Sequence, residues 1–324
     1  IMAILVFSGI LKQSLLVELL IGVSPFFIFM ISSSYMIGLL NAIDKYEFGA
    51  ISPGIRAVIN LVVIFLLFDK IGVWSIILGY IIGELFKNIY LLFIIFKHKI
   101  FYFSWKTQKN YSNYIFLFLK TMIFQNISLM IVGLKPVFDR FIGTFLAVGS
   151  VSLIEYSTKI TDIPNTLISG SILVIFLTDW SKKIHHHDNA DLKKDFKKYT
   201  AFILGLTGLI GLILYFFVPL IVEMIYPKLE AKLVISNLAS IFLMSFPLYM
   251  LVNFYAKILV AAGLTKFIMY LAVIQQILHI IFNIILVYYF DIYGIAYASL
   301  LHAIASAIIF IFVINRKVIA VKEA

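Results

Sequence analysis

The sequence specifies an all-α, polytopic membrane helix bundle, and three observations carry that reading. Hydrophobic residues make up 63% of the 324 and charged ones only 13%, where a water-soluble domain carries about 25% charge. Mean hydropathy is +1.06. Uncharged runs at 19–43, 200–222, 233–256, 267–290 and 292–315 each exceed the roughly 20 residues that cross a hydrocarbon core of about 30 Å as a helix. Four further apolar spans, at 51–68, 71–96, 114–148 and 150–178, have charges inside them. Backbone amides find no water in hydrocarbon, so helices are the default, and nine full spans are expected.

Taken in order, residues 1–11 are apolar but about half a span long, and read as the end of a helix that begins earlier. With the next three spans they make residues 1–96 the remainder of an amino-terminal lobe. Residues 97–113 read as a cytoplasmic interfacial linker. There Lys97, Lys99, Lys106 and Lys109 interleave with Phe101, Tyr102, Phe103 and Trp105, a mixture suited to the headgroup layer. Residues 114–318 form a carboxy-terminal lobe of six spans, followed by a tail, 319–324. The span 114–148 would be about 52 Å long at 1.5 Å per residue, so it must tilt, bend near Gly133 and Pro136, or project from the membrane. Pro164 removes a backbone hydrogen bond from the next span and predicts a kink there. Residues 180–199 read as a solvated loop. Its His185, His186 and His187 are adjacent and cannot converge on one ion, so no metal site is expected.

A weak internal repeat supports two lobes. Arg56 and Asn60 precede Phe68, Asp69 and Gly72, just as His279 and Asn283 precede Phe290, Asp291 and Gly294. Each copy places a polar residue one helical turn before an Asn, then F-D-x-x-G at the outer turn. The expected plan is two pseudo-symmetric lobes around a central cavity, as in secondary transporters.

The net charge of +10 encodes orientation. Loops numbered alternately put Lys45, the four linker lysines, six lysines from Lys182 to Lys198, Lys266, Arg316, Lys317 and Lys322 on one side, and Lys12, Lys70, Lys228 and Lys232 on the other. The first side is cytoplasmic by the positive-inside rule, and no nucleic-acid partner is implied. Cysteine is absent, which excludes disulfides, thiol nucleophiles and Cys-ligated metals.

Ionisable groups in hydrocarbon are costly unless they face a polar interior. Lys120, Lys135, Asp139 and Arg140 lie on one span and Glu155, Lys159 and Asp162 on the next, with Arg56, Glu84 and Lys87 in two others. Glu155, Lys159 and Asp162 share one helical face, and Lys135 and Asp139 are one turn apart. Two readings stand for Lys135, Asp139 and Arg140: ion pairs that hold a bundle together, or the lining of a wet cavity. For Lys159 the cavity reading is favoured. A cavity lined by Lys159 and Arg140 would attract anions such as the pyrophosphate of a lipid carrier. Arg56, Asn60, Gln125 and Asn126 are secondary cavity candidates; Gln275, Gln276, His279 and His302 read as packing hydrogen bonds.

The run from Phe138-Asp139-Arg140 through Gly143, Gly149 and Ser152, continued by Glu155-Tyr156-Ser157-Thr158-Lys159-Ile160 and Asp162-Ile163-Pro164, resembles the seventh and eighth helices of the lipid II flippases (MurJ), within the multidrug/oligosaccharidyl-lipid/polysaccharide exporter superfamily. Gly38-Leu39-Leu40-Asn41-Ala42 is similar to the end of that family's fourth helix. The resemblance implies that the chain corresponds to the tail of the third helix and the fourth to twelfth. It also implies a multi-pass protein of the bacterial cytoplasmic membrane. Lys159 stands where the family has a pyrophosphate-binding Arg, and Asp162 where it has an acid three residues later; Thr158 replaces its usual Asp. The family's other cationic ligands, on its first two helices, and its lipid-tail groove, on its last two, have no counterpart within 1–324.

The function so implied is an alternating-access flippase for undecaprenyl-pyrophosphate-linked lipid II, with no covalent chemistry and no cofactor. A flippase for O-antigen or capsular lipid-linked oligosaccharides is the alternative, and a cation-coupled multidrug exporter a more distant one. The expected partners are a lipid-linked glycan and membrane lipids.

Overall fold

The structure, a computed structural model, describes residues 18–19, 21–99, 112–170, 172–173, 176–177, 180 and 189–319. Among these residues regular structure is helical throughout, with no strand. Nine helices follow one another: α1 (Ser24–Ala42), α2 (Tyr46–Ile71), α3 (Trp74–Lys97), α4 (Ser112–Gly143), α5 (Ser150–Gly170), α6 (Asn189–Ile225), α7 (Lys232–Ala261), α8 (Thr265–Phe290) and α9 (Ile292–Ile314). The last runs into a π-helical turn, Asn315–Ile319. Among the described helices eight are long and apolar enough to cross a membrane. The other, α5, holds Glu155, Lys159 and Asp162 within 21 residues and is too polar for that criterion. The segment 1–11, linker residues 100–111, the triple histidine at 185–187 and the tail 320–324 lie outside the described residues.

The chain divides into two compact units, 1–107 and 108–324. In the first, α3 packs against both α1 and α2. Gly79 and Gly83 on α3 permit the close approach of α2. A Cβ on Gly83 would lie 2.8 Å from the Arg56 carbonyl oxygen, and one on Gly79 3.1 Å from that of Asn60. Small residues four apart on a membrane helix bring backbones together in this way. Met36 and Leu40 of α1 meet Leu91, Ile94 and Ile95 of α3 in a buried cluster.

In the second unit α7 is central, with α5, α6, α8 and α9 packed around it, while α4 packs on α8. Sixteen of the 30 residues of α7 are buried, which is why it is uncharged between Leu233 and Ala256. α4 ends at Gly143, and the chain turns through Gly149 at φ +93° before α5. Its 32 residues span about 48 Å. α5 continues through Pro164 to Gly170 without a break in its helical assignment. Residues 189–199, expected as loop, instead extend α6 beyond its membrane-crossing part. The extension has an apolar side: Phe196 is buried and, with Tyr199, meets the fully buried Trp180.

The F-D-x-x-G copies turn differently from the sequence alignment. α2 ends at Ile71 and Gly72 adopts φ 55°, ψ −128°; α8 ends at Phe290 and Asp291 adopts φ 51°, ψ −134°. The equivalent turn residues are therefore Gly72 and Asp291, and Gly294 lies inside α9, tight against the backbone of Leu286. This conformation suits glycine and strains an L side chain. Asp291→Gly is therefore expected to stabilise the protein by about 1 kcal/mol, and Gly72→Ala to destabilise it by at least that much. Thermal unfolding of the detergent-solubilised protein checks both; an unchanged or lower midpoint for Asp291→Gly would contradict the strain.

Candidate functional site

A cavity of about 330 Å³ opens within the second unit, and all six principal candidates line it: Lys135, Asp139 and Arg140 from α4, and Glu155, Lys159 and Asp162 from α5. Phe242, Ser245, Phe246 and Tyr249 of α7 and Ser299, His302 and Ala303 of α9 complete the wall with Asn165, Thr158 and Thr161 of α5. α5 supplies most of the polar lining because residues 155, 158, 159, 162 and 165 follow helical spacing on one face.

The charges are matched one to one. Lys135 Nζ lies 3.2 Å from Asp139, Arg140 Nε 2.5 Å from Glu155, and Lys159 Nζ 3.4 Å from Asp162. By count, the six candidates thus carry no net charge. Exposure breaks the balance. In every pair the cation is the more accessible partner, with side-chain exposures of 22% against 8%, 51% against 31% and 62% against 50%.

Asp139 is the buried anchor. One carboxylate oxygen lies 2.7 Å from His279 Nε2 and accepts from Asn283 Nδ2 at 3.1 Å, and the other accepts from Lys135. Lys135 also donates to Ser299 Oγ at 3.0 Å. The His302 ring stands edge-on to His279 with centroids 5.1 Å apart. His279 and Asn283, placed among packing residues and the repeat by sequence, are fully buried ligands of this carboxylate. The sequence marked them only as polar residues one turn apart, in line with Gln275 on the same helix, which signals a polar face without naming its partner.

A second cavity, about 320 Å³, lies on the other side of Lys135, Tyr249, His302 and Ala303, which line both. Gln125 lines it, with Asn253, Lys257, Gln275 and Gln276. Asn126 lines neither cavity: it is exposed, and its amide donates to the Met122 carbonyl one turn back. Arg56 and Asn60 belong to the first unit. Arg56 lies 3.4 Å from Glu84, a fully buried carboxylate that also takes Lys87 Nζ at 2.8 Å and Ser33 Oγ at 2.5 Å. Asn60 packs against Gly79.

The sequence profile of the lipid II flippase MurJ family matches residues 2–324. The chain belongs to that family. Among solved structures, a MurJ lipid II flippase in an inward closed conformation superposes with a TM-score of 0.67 and 21% identity, covering 92% of this chain and 63% of that one. The chain therefore spans less than two thirds of that flippase's length. A Vibrio cholerae MATE transporter in its bent form gives 0.73 at 12% identity, over 92% of this chain and 69% of that one. An outward-facing multidrug resistance MATE transporter of the MOP superfamily gives 0.80 at 13%, over 99% and 75%. At such identities the likenesses concern the fold alone. No curated protein matches the chain.

Within this MurJ-family chain the pairs differ in what they stabilise. Asp139→Ala would leave the buried His279 and Asn283 and the part-buried Lys135 around a lost acceptor, at a cost of about 3 kcal/mol or more. Asp162→Ala removes one side of a half-exposed pair and should cost about 0.5 kcal/mol or less. Thermal unfolding of both variants in detergent checks the contrast; equal midpoints would contradict it.

Proposed function

We propose that the chain moves an undecaprenyl-pyrophosphate-linked cell-wall precursor, lipid II, from the cytoplasmic to the outer leaflet of the bacterial cytoplasmic membrane by alternating access. Family membership supports the substrate class. The observation that carries the reading is the cavity in which Lys135, Arg140 and Lys159 are each more exposed than their carboxylate partners. Such a lining offers charge-assisted donors to a pyrophosphate, while the paired carboxylates keep the empty site from holding unbalanced charge in a low-dielectric setting. Translocation breaks no covalent bond, so the protein acts as a transporter rather than an enzyme. Lys159 is the headgroup contact of choice, being the most exposed of the three cations. The membrane potential can bias the motion, since one charge crossing it gains about 2.3 kcal/mol per 100 mV.

One observation favours a second reading, a flippase for another polyprenyl-linked glycan such as an O-antigen or capsule unit. Lys159 replaces the guanidinium that the family presents at this position, and an ammonium lacks its two-pronged fork. A cation-coupled drug exporter is disfavoured, because acidic groups would then be the accessible ones. Lys159→Ala is expected to abolish rescue of a strain depleted of its lipid II flippase while insertion into the membrane stays normal, and Lys159→Arg to retain rescue. Full rescue by Lys159→Ala would refute the assigned contact; failure of the unmodified chain alongside rescue of an O-antigen flippase mutant would favour the second reading.

A further inference from the structure

Lys135 sits where the two cavities of the second unit meet, and Asp139, its ion-pair partner, lines the first of them in surroundings that accommodate two protonation patterns. His279 Nε2 lies 2.7 Å from the Asp139 oxygen and 2.8 Å from Asn283 Nδ2. If Nε2 carries a proton, it donates to a charged carboxylate. If it does not, its single lone pair accepts from Asp139, whose carboxyl group then carries the proton, while the Asn283 amide bonds the Asp139 oxygen and the His279 carbonyl. The Asp139–His279 contact serves both states.

Lys135 selects between them. Among the described residues its ammonium is held by Asp139 and Ser299, and it lines both cavities. An anionic headgroup in the first cavity competes with Asp139 for that ammonium. Once Lys135 turns toward the headgroup, Asp139 is a buried carboxylate with no cation beside it, and such a group neutralises by taking up a proton. The other charged or titratable groups nearby do not replace Lys135. Arg140, next to Asp139 on α4, is engaged by Glu155 of α5 at 2.5 Å, and Lys159 is engaged by Asp162. His279 of α8 and His302 of α9 are themselves buried, with His302 set against the His279 ring.

We infer that Asp139 and His279 form a proton-binding site, with Lys135 as a tethered cation that exchanges places with the proton when a pyrophosphate-bearing ligand enters. In charge terms, Lys135 keeps its ammonium proton and moves its ion pair from carboxylate to phosphate. One proton from solvent goes to Asp139, so ligand and proton load together. This deepens the flippase reading and rests on it.

The test is calorimetry of farnesyl pyrophosphate binding to the full chain in detergent, repeated in Tris and HEPES. Their different ionisation enthalpies reveal the protons exchanged per ligand bound. The unmodified protein should take up about one proton more per ligand than D139N. The double variant K135M/D139N removes both charges together and should match D139N, which keeps the test decisive if D139N folds poorly. The ligand's own titration is compared between the unmodified protein and D139N, both of which keep Lys135 to face it. Infrared difference spectra of the unmodified protein should gain a protonated-carboxyl band on binding. Binding with identical proton exchange in all three proteins, or without that band, overturns the proton site and leaves the flippase reading standing. No binding of the pyrophosphate to the unmodified chain overturns both.

Discussion

A carboxylate placed at membrane depth must find cations or donors within reach, and the second unit is arranged around meeting that demand at Asp139. Three helices contribute. α4 brings Lys135 one turn before the acid, α8 brings His279 and Asn283 one turn apart, and α9 brings Ser299 to hold the lysine. Apolar packing alone gives membrane helices little preference for one rotation over another, because lipid tails are as apolar as leucine. A polar cluster with three donors on one acceptor has essentially one good geometry. The rotation of α8 relative to α4, and hence the wall between the two cavities, follows from it.

The first unit meets the same demand in a different way. Glu84 is fully buried, and Lys87, Ser33 and Arg56 all converge on it, while Asn88 bonds the Glu84 and Phe29 carbonyls. Lys87 is 7% exposed there, against 22% for Lys135. One cluster joins α1, α2 and α3 around a fully buried Glu84, with Arg56 at its exposed edge, and the other borders the cavity. Sequence alone could not separate them, since both present an acid and a lysine one turn apart in an apolar span. What differs is the neighbouring surface: glycines at 79 and 83 draw α2 onto the first cluster, whereas the second faces the polar side of α5.

This difference marks the limit of what the chain discloses before folding. The number and order of the described helices were legible because each span is a long apolar run bounded by charge. The six cavity candidates were legible because ionisable groups inside such runs are rare. The partners of Asp139 were not, because His279 and Asn283 lie about 140 residues away and a lone intramembrane histidine has the same local pattern whether it packs or ligates. The turn register was also missed, since F-D-x-x-G matches by letter while the strained residue is Gly72 in one copy and Asp291 in the other. Residues 189–199 were read as loop from their charge. Phe196 and Tyr199, on one side of that charged stretch, supply the apolar contact that keeps it helical.

α5 shows how the site and the fold share one helix. Ile154, Ser157, Ile160 and Ile168 form its buried face against α7 and its neighbours; Ile163 and Leu167 are exposed at 64% and 67%, suited to lipid tails; and Glu155, Lys159 and Asp162 line the cavity. Three environments around one cylinder require three residue classes. No window of this helix can then be as apolar as a span surrounded by lipid and protein. Its failure to qualify as a membrane span by composition is thus the same fact as its lining a polar chamber. At membrane depth its charges are balanced in place, Glu155 by Arg140 of α4 and Lys159 by Asp162, so the polar face needs no partner from lipid.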